Sequence, residues 1–336
     1  MSQVYPARRL LLPLTPLYRG ALALRELLLF TGFERKRRLS FPVISVGSLS
    51  AGGAGKTPLT IALARALTRR DRRIDVLSRG YARRSDLVGH VDPGGVAEDY
   101  GDEPMLIARE AGVPVYVGRR RYEAGLLAEM DSTTSLAVHL LDDGFQHRQL
   151  YRNVDILLVD RHDWQADHLL PAGNLREPRS AIRRATIVVI PADGEAPGLE
   201  SDLRSWGWEG PVWRVRRRLD IPEIDGPVAA FCGIGRPAQF FEGLESAGLQ
   251  LAARLPFPDH YPYTDRDIAR LIASAQHAGA AALITTGKDR VRMGRLAESF
   301  PDFLPLATAG LRMEIEDEDA AMAFLISCLW TEPIRA

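Results

Sequence analysis

The 336-residue chain contains few cysteines and few lysines, and neither sign of charge is in excess. Its two cysteines, Cys232 and Cys328, cannot build a disulfide framework and lack the spacing of a metal site, so they fit a reducing compartment. Acidic and basic residues are equally numerous, 43 of each, which gives no general argument for nucleic-acid binding. Apolar residues make up 46% of the chain and charged residues 26%, and this composition excludes disordered and fibrous proteins.

The N-terminal region lacks a secretory signal and lacks an uncharged run long enough for a membrane span. Its longest uncharged run is Leu10–Tyr18, whereas a spanning helix needs about 18–20 apolar residues. Residues 1–40 nevertheless contain eight basic residues against two acidic ones. A helix over Leu17–Phe33 would have a broad apolar face, and the cluster Arg35–Arg38 would suit anionic head groups. Two interpretations stay open: the segment lies on a membrane surface, or it is a terminal helix packed on the core.

From residue 42 onwards, short apolar runs alternate with helical patterns. Nearly continuous apolar runs are typical of strands buried on both faces of a parallel sheet. The alternation with helices near Pro58–Arg70, Glu103–Ala111 and Tyr122–Met130 predicts an α/β fold with a doubly wound, mostly parallel sheet. The strands predicted in this region are Pro42–Gly47, Ile74–Ser78, Val113–Val117, Leu136–Leu141, Asp155–Val159 and Thr186–Ile190.

A second set of strands and helices follows residue 205. Helices are predicted near Pro237–Ala247 and Asp265–Ala278, and the polar stretch Ala192–Glu209 is the best linker candidate. The strands predicted here are Val212–Val215, Val228–Phe231, Leu251–Leu255, Ala282–Thr285 and Leu304–Ala307. We therefore expect an N-terminal basic and apolar segment (1–40), a core domain (41–205) and a smaller C-terminal α/β domain (206–336).

The sequence SVGSLSAGGAGKTP at residues 45–58 joins an apolar strand to a helix. Glycines let consecutive backbone N–H groups converge on phosphate oxygens, and the helix N-terminus adds partial positive charge. Lys56 would reach the β- and γ-phosphates, while the Thr57 hydroxyl would bind Mg²⁺. Ser50 stands where the usual spacing has a glycine, so flexibility would come from the later glycines. The residues predicted to bind ATP are Gly52, Gly53, Ala54, Gly55, Lys56 and Thr57.

Three carboxylates and one histidine could complete the site. Asp142 and Asp143 follow a predicted strand, where a carboxylate would lie beside the phosphate loop. Alone these two would indicate a solvated turn, but the upstream loop favours metal binding by one of them. Asp102 opens a helix, where it could simply cap, and His260 lies in a turn. A hydroxyl acceptor must lose its proton, and an Asp–His pair can arrange that, although sequence spacing does not pair these two.

Six ordered motifs resemble those of the tetraacyldisaccharide 4′-kinase family, the lipid A 4′-kinases of the bacterial envelope. The resemblance covers most of the chain from residue 42, and the N-terminal segment is also similar to the family's membrane-associating helix. The irregular loop with Ser50 agrees with this family. The motifs are SVGSLSAGGAGKTP (45–58), LSRGY (77–81), GDEP (101–104), LDDGFQHR (141–148), LPAGNLREP (170–178) and FPDHY (257–261).

The resemblance implies ATP-dependent phosphorylation of the 4′-hydroxyl of a tetraacylated glucosamine disaccharide 1-phosphate. It also implies a peripheral enzyme at the cytoplasmic face of the inner membrane, with ATP and Mg²⁺ as cofactors, an anionic lipid acceptor and no nucleic-acid partner. Lys56 and Thr57 would act at ATP–Mg²⁺, and Asp142 and Asp143 would form the metal-binding pair. Asp102 would be the base, tuned by His260.

On the lipid side, the resemblance implies Arg79, Tyr81, Arg121 and Arg176. An arginine fork suits a sugar phosphate. For the stretch Arg119–Arg121, a solvated basic surface is an equally good interpretation of any single member.

Two other functions share some of these features. A regulatory GTPase or metallochaperone-type switch would need an Asn-Lys-x-Asp element for guanine, but Thr286-Gly287-Lys288-Asp289 places Lys and Asp side by side, so we expect ATP. A soluble small-molecule kinase would not need the basic, apolar N-terminus.

Overall fold

The computed structural model describes residues 6–33, 35–51, 55–132, 137–160, 164–165, 168–192 and 198–329. Within these ranges twelve strands form one sheet. In chain order the strands are β1 (Val43–Ser48), β2 (Arg73–Ser78), β3 (Gly89–His90), β4 (Val115–Val117), β5 (Ala137–Leu141), β6 (Val154–Leu158), β7 (Ile187–Pro191), β8 (Val212–Asp220), β9 (Val228–Cys232), β10 (Leu251–Pro256), β11 (Ala282–Thr286) and β12 (Leu306–Ile315).

Helices connect most of these strands. Short 3₁₀ helices also cover Pro6–Leu14, Arg179–Arg184 and Gly294–Glu298. The α-helices are α1 (Thr15–Phe30), α2 (Lys56–Thr68), α3 (Ala97–Tyr100), α4 (Asp102–Ala111), α5 (Arg121–Met130), α6 (Leu199–Ser205), α7 (Pro237–Ser246), α8 (Asp265–His277), α9 (Gly287–Met293) and α10 (Glu318–Leu329).

The sheet order is β10-β9-β11-β12-β8-β7-β6-β1-β5-β2-β4-β3. All neighbours pair in parallel except β12 with β8 and β3 with β4, so the predicted mostly parallel α/β sheet is confirmed. Strands β1 and β5 are adjacent, and Ser45 pairs with Leu141. Because the two strands are parallel, the loop after β1 and the carboxylates after β5 leave the sheet at the same edge.

Strand β1 is buried along its whole length because hydrophobic clusters cover both of its faces. Ile44 and Val46 pack in a cluster with residues of α2 and α4, whereas Val43 packs in another cluster with α5. Burial on both faces explains why the apolar residues of this strand do not alternate with charged or large polar ones, since only the small Ser45, Gly47 and Ser48 interrupt them.

The strands after β8 have hydrophobic clusters of their own. Phe231 belongs to a cluster on one face of β9, and Val228 and Ala230 belong to a cluster on the other. Helix α10, however, joins the cluster of the first half of the chain through Met322 and Leu325. The two C-terminal clusters support the division near residue 205, which stays a proposal.

The structure corrects two expectations in this region. The described part of the predicted linker contains helix α6, whose Leu199 and Leu203 are buried. Strands β8 and β12 are longer than predicted and pair antiparallel, with Arg218 opposite Arg312. Outward-facing charges interrupt both strands, so their sequences lack a continuous apolar run.

Helix α1 contacts the protein through a face of mixed character. None of its residues is buried, but its half-buried positions recur at helical spacing, which places them on one side: Thr15, Tyr18, Leu22, Arg25, Leu28 and Leu29. Tyr18 and Leu22 pack against a buried hydrophobic cluster, and Arg25 pairs with Glu177. The opposite side carries the exposed leucines Leu17, Leu24 and Leu27. The described helix is therefore not a buried core helix, since it packs on the protein through some apolar and some polar side chains and leaves other apolar side chains exposed.

Candidate active site

The phosphate loop joins β1 to α2 as the motif predicts. Gly55 is the N-cap of α2 with a φ of 92°, and a Cβ placed there would lie 2.3 Å from Cε of Met313. The left-handed conformation is what favours glycine at this position, since the terminal methyl of Met313 can move away from an added Cβ. Lys56 and Thr57 follow in the first turn and are buried. The predicted residues Gly52, Gly53 and Ala54 lie outside the described residues.

The lysine of the loop already lies beside a carboxylate. Nζ of Lys56 is 3.6 Å from Oδ1 of Asp143 and donates a hydrogen bond to Oγ of Ser48 (3.3 Å). Asp143 also accepts two contacts from Nη1 of Arg176, at 2.7 and 2.8 Å. Burial by itself would raise the pKa of Asp143, but the charges of Lys56 and Arg176 outweigh it and hold the pKa below its ordinary value.

Asp142 lies in a different environment although it is the next residue. It is buried and accepts a hydrogen bond from Oγ1 of Thr60 (3.0 Å) in helix α2. Burial, with the negative charges of Glu103 and Asp143, raises the pKa of Asp142 to about 7. Three carboxylates thus converge near the phosphate loop, and burial with their mutual repulsion favours the protonated form of Asp142.

This convergence fits a divalent cation. The Thr57 hydroxyl and the Asp142 and Asp143 carboxylates are oxygen donors, which Mg²⁺ prefers. Within the described ranges, no group of three or more His, Cys, Asp or Glu side chains could hold a metal ion without help. Mg²⁺ normally completes its shell with water and phosphate oxygens, so a site of one or two carboxylates is what its chemistry requires.

Asp102 and His260 meet across the cleft, 158 positions apart in the chain. Nδ1 of His260 lies 3.1 Å from Oδ2 of Asp102. Asp102 begins α4 after Gly101, and His260 has a left-handed φ of 58° in the turn after β10. The hydrogen bond with Asp102 raises the pKa of His260. The structure therefore brings together two residues that sequence spacing could not pair.

Sequence reasoning missed a third member of this group, Arg292. Its Nε and Nη2 atoms donate to the same oxygen, Oδ2 of Asp102, at 2.9 and 2.7 Å, and its Nη1 donates to the carbonyl of Gly233 at 3.0 Å. Burial would raise the pKa of Asp102, but the bonds from His260 and Arg292 outweigh it and lower the pKa. The bonds that Asp102 accepts from His260 and Arg292 all end on Oδ2. Among the described residues, Oδ1 of Asp102 is therefore available to another group.

Lys288 is a second residue that sequence reasoning left without a role. Its Nζ lies 2.6 Å from Oε1 of Glu103, next to Asp102. The scarcity of lysine was a usable signal, because the chain has only three lysines and two of them, Lys56 and Lys288, lie in this cleft. The neighbouring Asp289 is buried and accepts hydrogen bonds from Thr286 and from the backbone N–H of Gly233. Asp289 is thus engaged within the protein rather than presented to a guanine base.

The residues predicted on the lipid side lie in different environments. Arg79 and Tyr81 are exposed, and the Tyr81 ring lies 5.7 Å from the ring of His260. Arg121 is buried, and its Nε atom has no hydrogen-bond partner among the described residues. Burial and the charge of Arg79 lower the pKa of Arg121 to about 10. Arg176, as described above, contacts Asp143.

One cleft of about 1600 Å³ contains these groups. Its walls come from both halves of the chain, with Lys56, Asp102 and Asp143 from the first half and His260 and Lys288 from the second. A buried lysine at a helix N-terminus, metal-type carboxylates and an Asp–His pair in one cleft are the components of phosphoryl transfer from a nucleotide to a hydroxyl group.

Comparison with known proteins points in the same direction. The family model described as tetraacyldisaccharide-1-P 4′-kinase matches residues 7–329. A tetraacyldisaccharide 4′-kinase of Koribacter versatilis is 38% identical over 329 residues, covering 94% of this chain and 98% of that protein. One of Geobacter metallireducens is 38% identical over 300 residues, covering 82% and 86%.

A solved structure is also similar over nearly the whole chain. It is the crystal structure of the "apo" form of LpxK from Aquifex aeolicus in complex with ATP. The TM-score is 0.76 at 32% sequence identity, and the match covers 96% of this chain and all of the other.

Proposed function

This chain belongs to the tetraacyldisaccharide-1-P 4′-kinase family, and we propose that its cleft transfers the γ-phosphoryl group of ATP to the 4′-hydroxyl of a tetraacylated glucosamine disaccharide 1-phosphate. It is a kinase of lipid A biosynthesis that uses ATP. The observation that carries the mechanism is the Asp102–His260 pair, which lies in the same cleft as the lysine of the phosphate loop.

The nucleotide would bind where β1 meets α2. Lys56 would neutralise charge on the β- and γ-phosphates, and backbone N–H groups at the start of α2 would hold their oxygens. Thr57 with Asp142 or Asp143 would hold Mg²⁺, which when bound offsets the charge that develops on the transferred group. The pKa of Asp142 is raised by burial first and then by the negative charges of Glu103 and Asp143, and a bound cation would offset the second cause.

Asp102 would act as the base. Its lowered pKa keeps it ionised at neutral pH, and Oδ1 faces no competing bond among the described residues. His260 and Arg292 would hold the carboxylate still by binding its other oxygen. A weak base is sufficient here, because the transition state of phosphoryl transfer is loose and the hydroxyl proton leaves late.

The acceptor would approach from the side of Arg79, Tyr81 and Arg121. These residues provide two guanidinium groups and an aromatic surface next to His260, which suits a sugar that carries a phosphate. The buried Nε of Arg121 is a donor without a partner among the described residues, and an anionic ligand could accept a hydrogen bond from it.

The direct test is transfer of labelled phosphate from γ-labelled ATP to the purified disaccharide 1-phosphate acceptor. We expect the label at the 4′ position, and GTP should be a poor donor. Label released only as inorganic phosphate, or equal rates with ATP and GTP in the absence of the acceptor, would instead indicate a nucleotide switch.

We further propose that the enzyme attaches peripherally to the cytoplasmic face of the inner membrane through α1. In the described part of the chain, no helix is long and apolar enough to cross a bilayer. The outer face of α1 exposes Leu17, Leu24, Leu27 and Phe30, with 55–89% of each residue accessible. An apolar face of this kind, next to basic residues, suits the interface of an anionic bilayer.

Vesicle sedimentation tests this attachment. The variant Leu24→Ser/Leu27→Ser should bind vesicles of phosphatidylglycerol and phosphatidylethanolamine at least several-fold more weakly, and high salt should weaken wild-type binding, since basic residues act through a screened surface potential. Binding unaffected by the double substitution would place the lipid contact elsewhere.

A further inference from the structure

The entrance to the phosphate loop is held by a segment far along the chain, residues 174–177. The backbone N–H of Ala51 donates to the carbonyl of Asn174 (2.8 Å), and the N–H of Arg176 donates to the carbonyl of Leu49 (2.7 Å). Between them Ser50 and Leu175 form an antiparallel bridge. The backbone just before the residues that would wrap the phosphates is therefore paired like an edge of a sheet.

The same segment is held on its other side by helix α1. The Tyr18 hydroxyl donates to the carbonyl of Arg176 (2.9 Å), and Nη2 of Arg25 lies 3.1 Å from Oε1 of Glu177. Glu177 is only 2% exposed, whereas the Arg25 side chain is 31% exposed, so solvent reaches this ion pair only from the side of the arginine. Arg184 is a second partner of Glu177, at 2.6 Å.

The side chain of Arg176 completes the connection. It holds both carboxylate oxygens of Asp143, and Asp143 lies 3.6 Å from Nζ of Lys56. One four-residue segment thus contacts the N-terminal helix, the phosphate loop and a carboxylate of the metal site.

We propose that Tyr18 and Arg25 are positioning residues for nucleotide binding: through residues 174–177 they hold residues 49–51, which enter the phosphate loop, and Asp143 in the arrangement that binds MgATP. Helix α1 would then have two separate faces with two roles, an outer apolar face for the lipid surface and an inner face, with Tyr18 and Arg25, for the nucleotide site. The physical reason is that apparent affinity falls with the fraction of molecules whose site is competent to bind. This inference rests on the proposed assignment of the cleft as the MgATP site.

The test measures MgATP binding by full-length protein in detergent micelles, without any lipid acceptor, by isothermal titration calorimetry. Tyr18→Phe removes one hydroxyl, and Arg25→Met removes one charge of similar length. Each should raise the MgATP dissociation constant by roughly threefold to tenfold, the range expected for loss of one hydrogen bond or partly shielded ion pair. In the kinase assay, KM for MgATP should rise while kcat at saturating MgATP stays close to wild type.

Two further variants separate positioning from a general effect on the helix. Arg19→Met makes the same substitution at an exposed position of α1 and should leave MgATP affinity unchanged. Arg25→Lys keeps the positive charge beside Glu177 and should recover most of the affinity lost in Arg25→Met. If Arg25→Met does not fold, Tyr18→Phe and Arg25→Lys still decide the question.

Wild-type MgATP affinity in both Tyr18→Phe and Arg25→Met would overturn the proposal, as would an equal loss in Arg19→Met. A fall in kcat with unchanged MgATP affinity would also overturn it. Failure of the wild-type protein to bind MgATP is a different result, because that would refute the proposed function of the cleft itself.

Discussion

Replacing Arg292 by Met would remove the strongest contacts of the proposed base. Two nitrogen atoms of Arg292 lie 2.9 and 2.7 Å from Oδ2 of Asp102, and the arginine side chain is only 8% exposed. A hydrogen bond to a charged group is worth about 1.5–3 kcal/mol, and each 1.36 kcal/mol is a factor of ten in rate. If the lost hydrogen-bond energy leaves the Asp102 carboxylate misoriented, kcat should fall by roughly 10- to 100-fold with little change in KM for MgATP.

The pH profile of the variant provides an independent measure. Asp102 must be ionised to accept a proton, and in the wild type the bonds from His260 and Arg292 lower its pKa. Burial raises the pKa of Asp102 and the charge of Arg292 lowers it, so removal of that charge should raise the pKa. Activity should therefore begin to fall at a higher pH than in the wild type as the solution is acidified. The higher basicity should compensate little, because the proton moves late in a loose transition state.

Two controls make this result interpretable. Arg292→Lys retains the positive charge but cannot donate through two nitrogen atoms at once. The pH at which its activity falls on acidification should therefore stay nearer to that of the wild type, while kcat remains low. Arg295→Met, at an exposed position nearby, should behave as wild type. Three results for Arg292→Met would refute the reasoning. These are an unchanged kcat, an activity that falls at a lower pH than in the wild type on acidification, and an effect confined to KM for MgATP.

Three further results are expected. Lys56→Ala should lower kcat by at least about 10²-fold while thermal unfolding stays close to wild type, because the lysine neutralises developing phosphate charge; more than a tenth of the wild-type rate would contradict this role. Asp102→Ala and His260→Ala should each lower kcat more than they change KM, and the double variant should be barely worse than the worse single one; fully multiplicative losses would mean that the two residues act independently. Gly55→Ala should weaken MgATP binding in calorimetry, since alanine is strained at a φ of 92°, whereas the Cε of Met313 near the new Cβ belongs to a flexible side chain that can move; near-normal affinity would show that the loop does not need this conformation.

The central strands could be predicted because burial on both faces requires short segments that are rich in apolar residues. Strands such as β1 and β6 are buried throughout and are rich in Val, Ile and Leu, with only Ser and Gly in β1 and Asp155 in β6 as exceptions. The ends of β8 and β12 were missed because Arg216 and Arg218 face outwards and pair with Glu316 and Glu314. Charge pairs across two strands are invisible until the register of those strands is known.

The candidate site was predictable wherever a short motif carries the chemistry. The loop around Lys56 and the pair Asp142 and Asp143 are local features, so their residue types and spacing are sufficient. Arg292 belongs to no motif, and its partner Asp102 lies 190 positions away. The contact exists only because the turn after β10 and helix α9 are brought against the start of α4.

Helix α1 shows most clearly what each level decides. By itself the sequence predicted an amphipathic helix over Leu17–Phe33, because helical periodicity depends only on the spacing of apolar and charged residues, and the structure has α1 over Thr15–Phe30. It could not determine which face meets the protein. The partners of Tyr18 and Arg25 are Arg176 and Glu177, more than 150 positions away. Only the tertiary structure turns Tyr18 and Arg25 inwards and leaves Leu17, Leu24 and Leu27 outside, because Tyr18 packs on a buried hydrophobic cluster and Arg25 joins Arg184 in neutralising the buried acid Glu177.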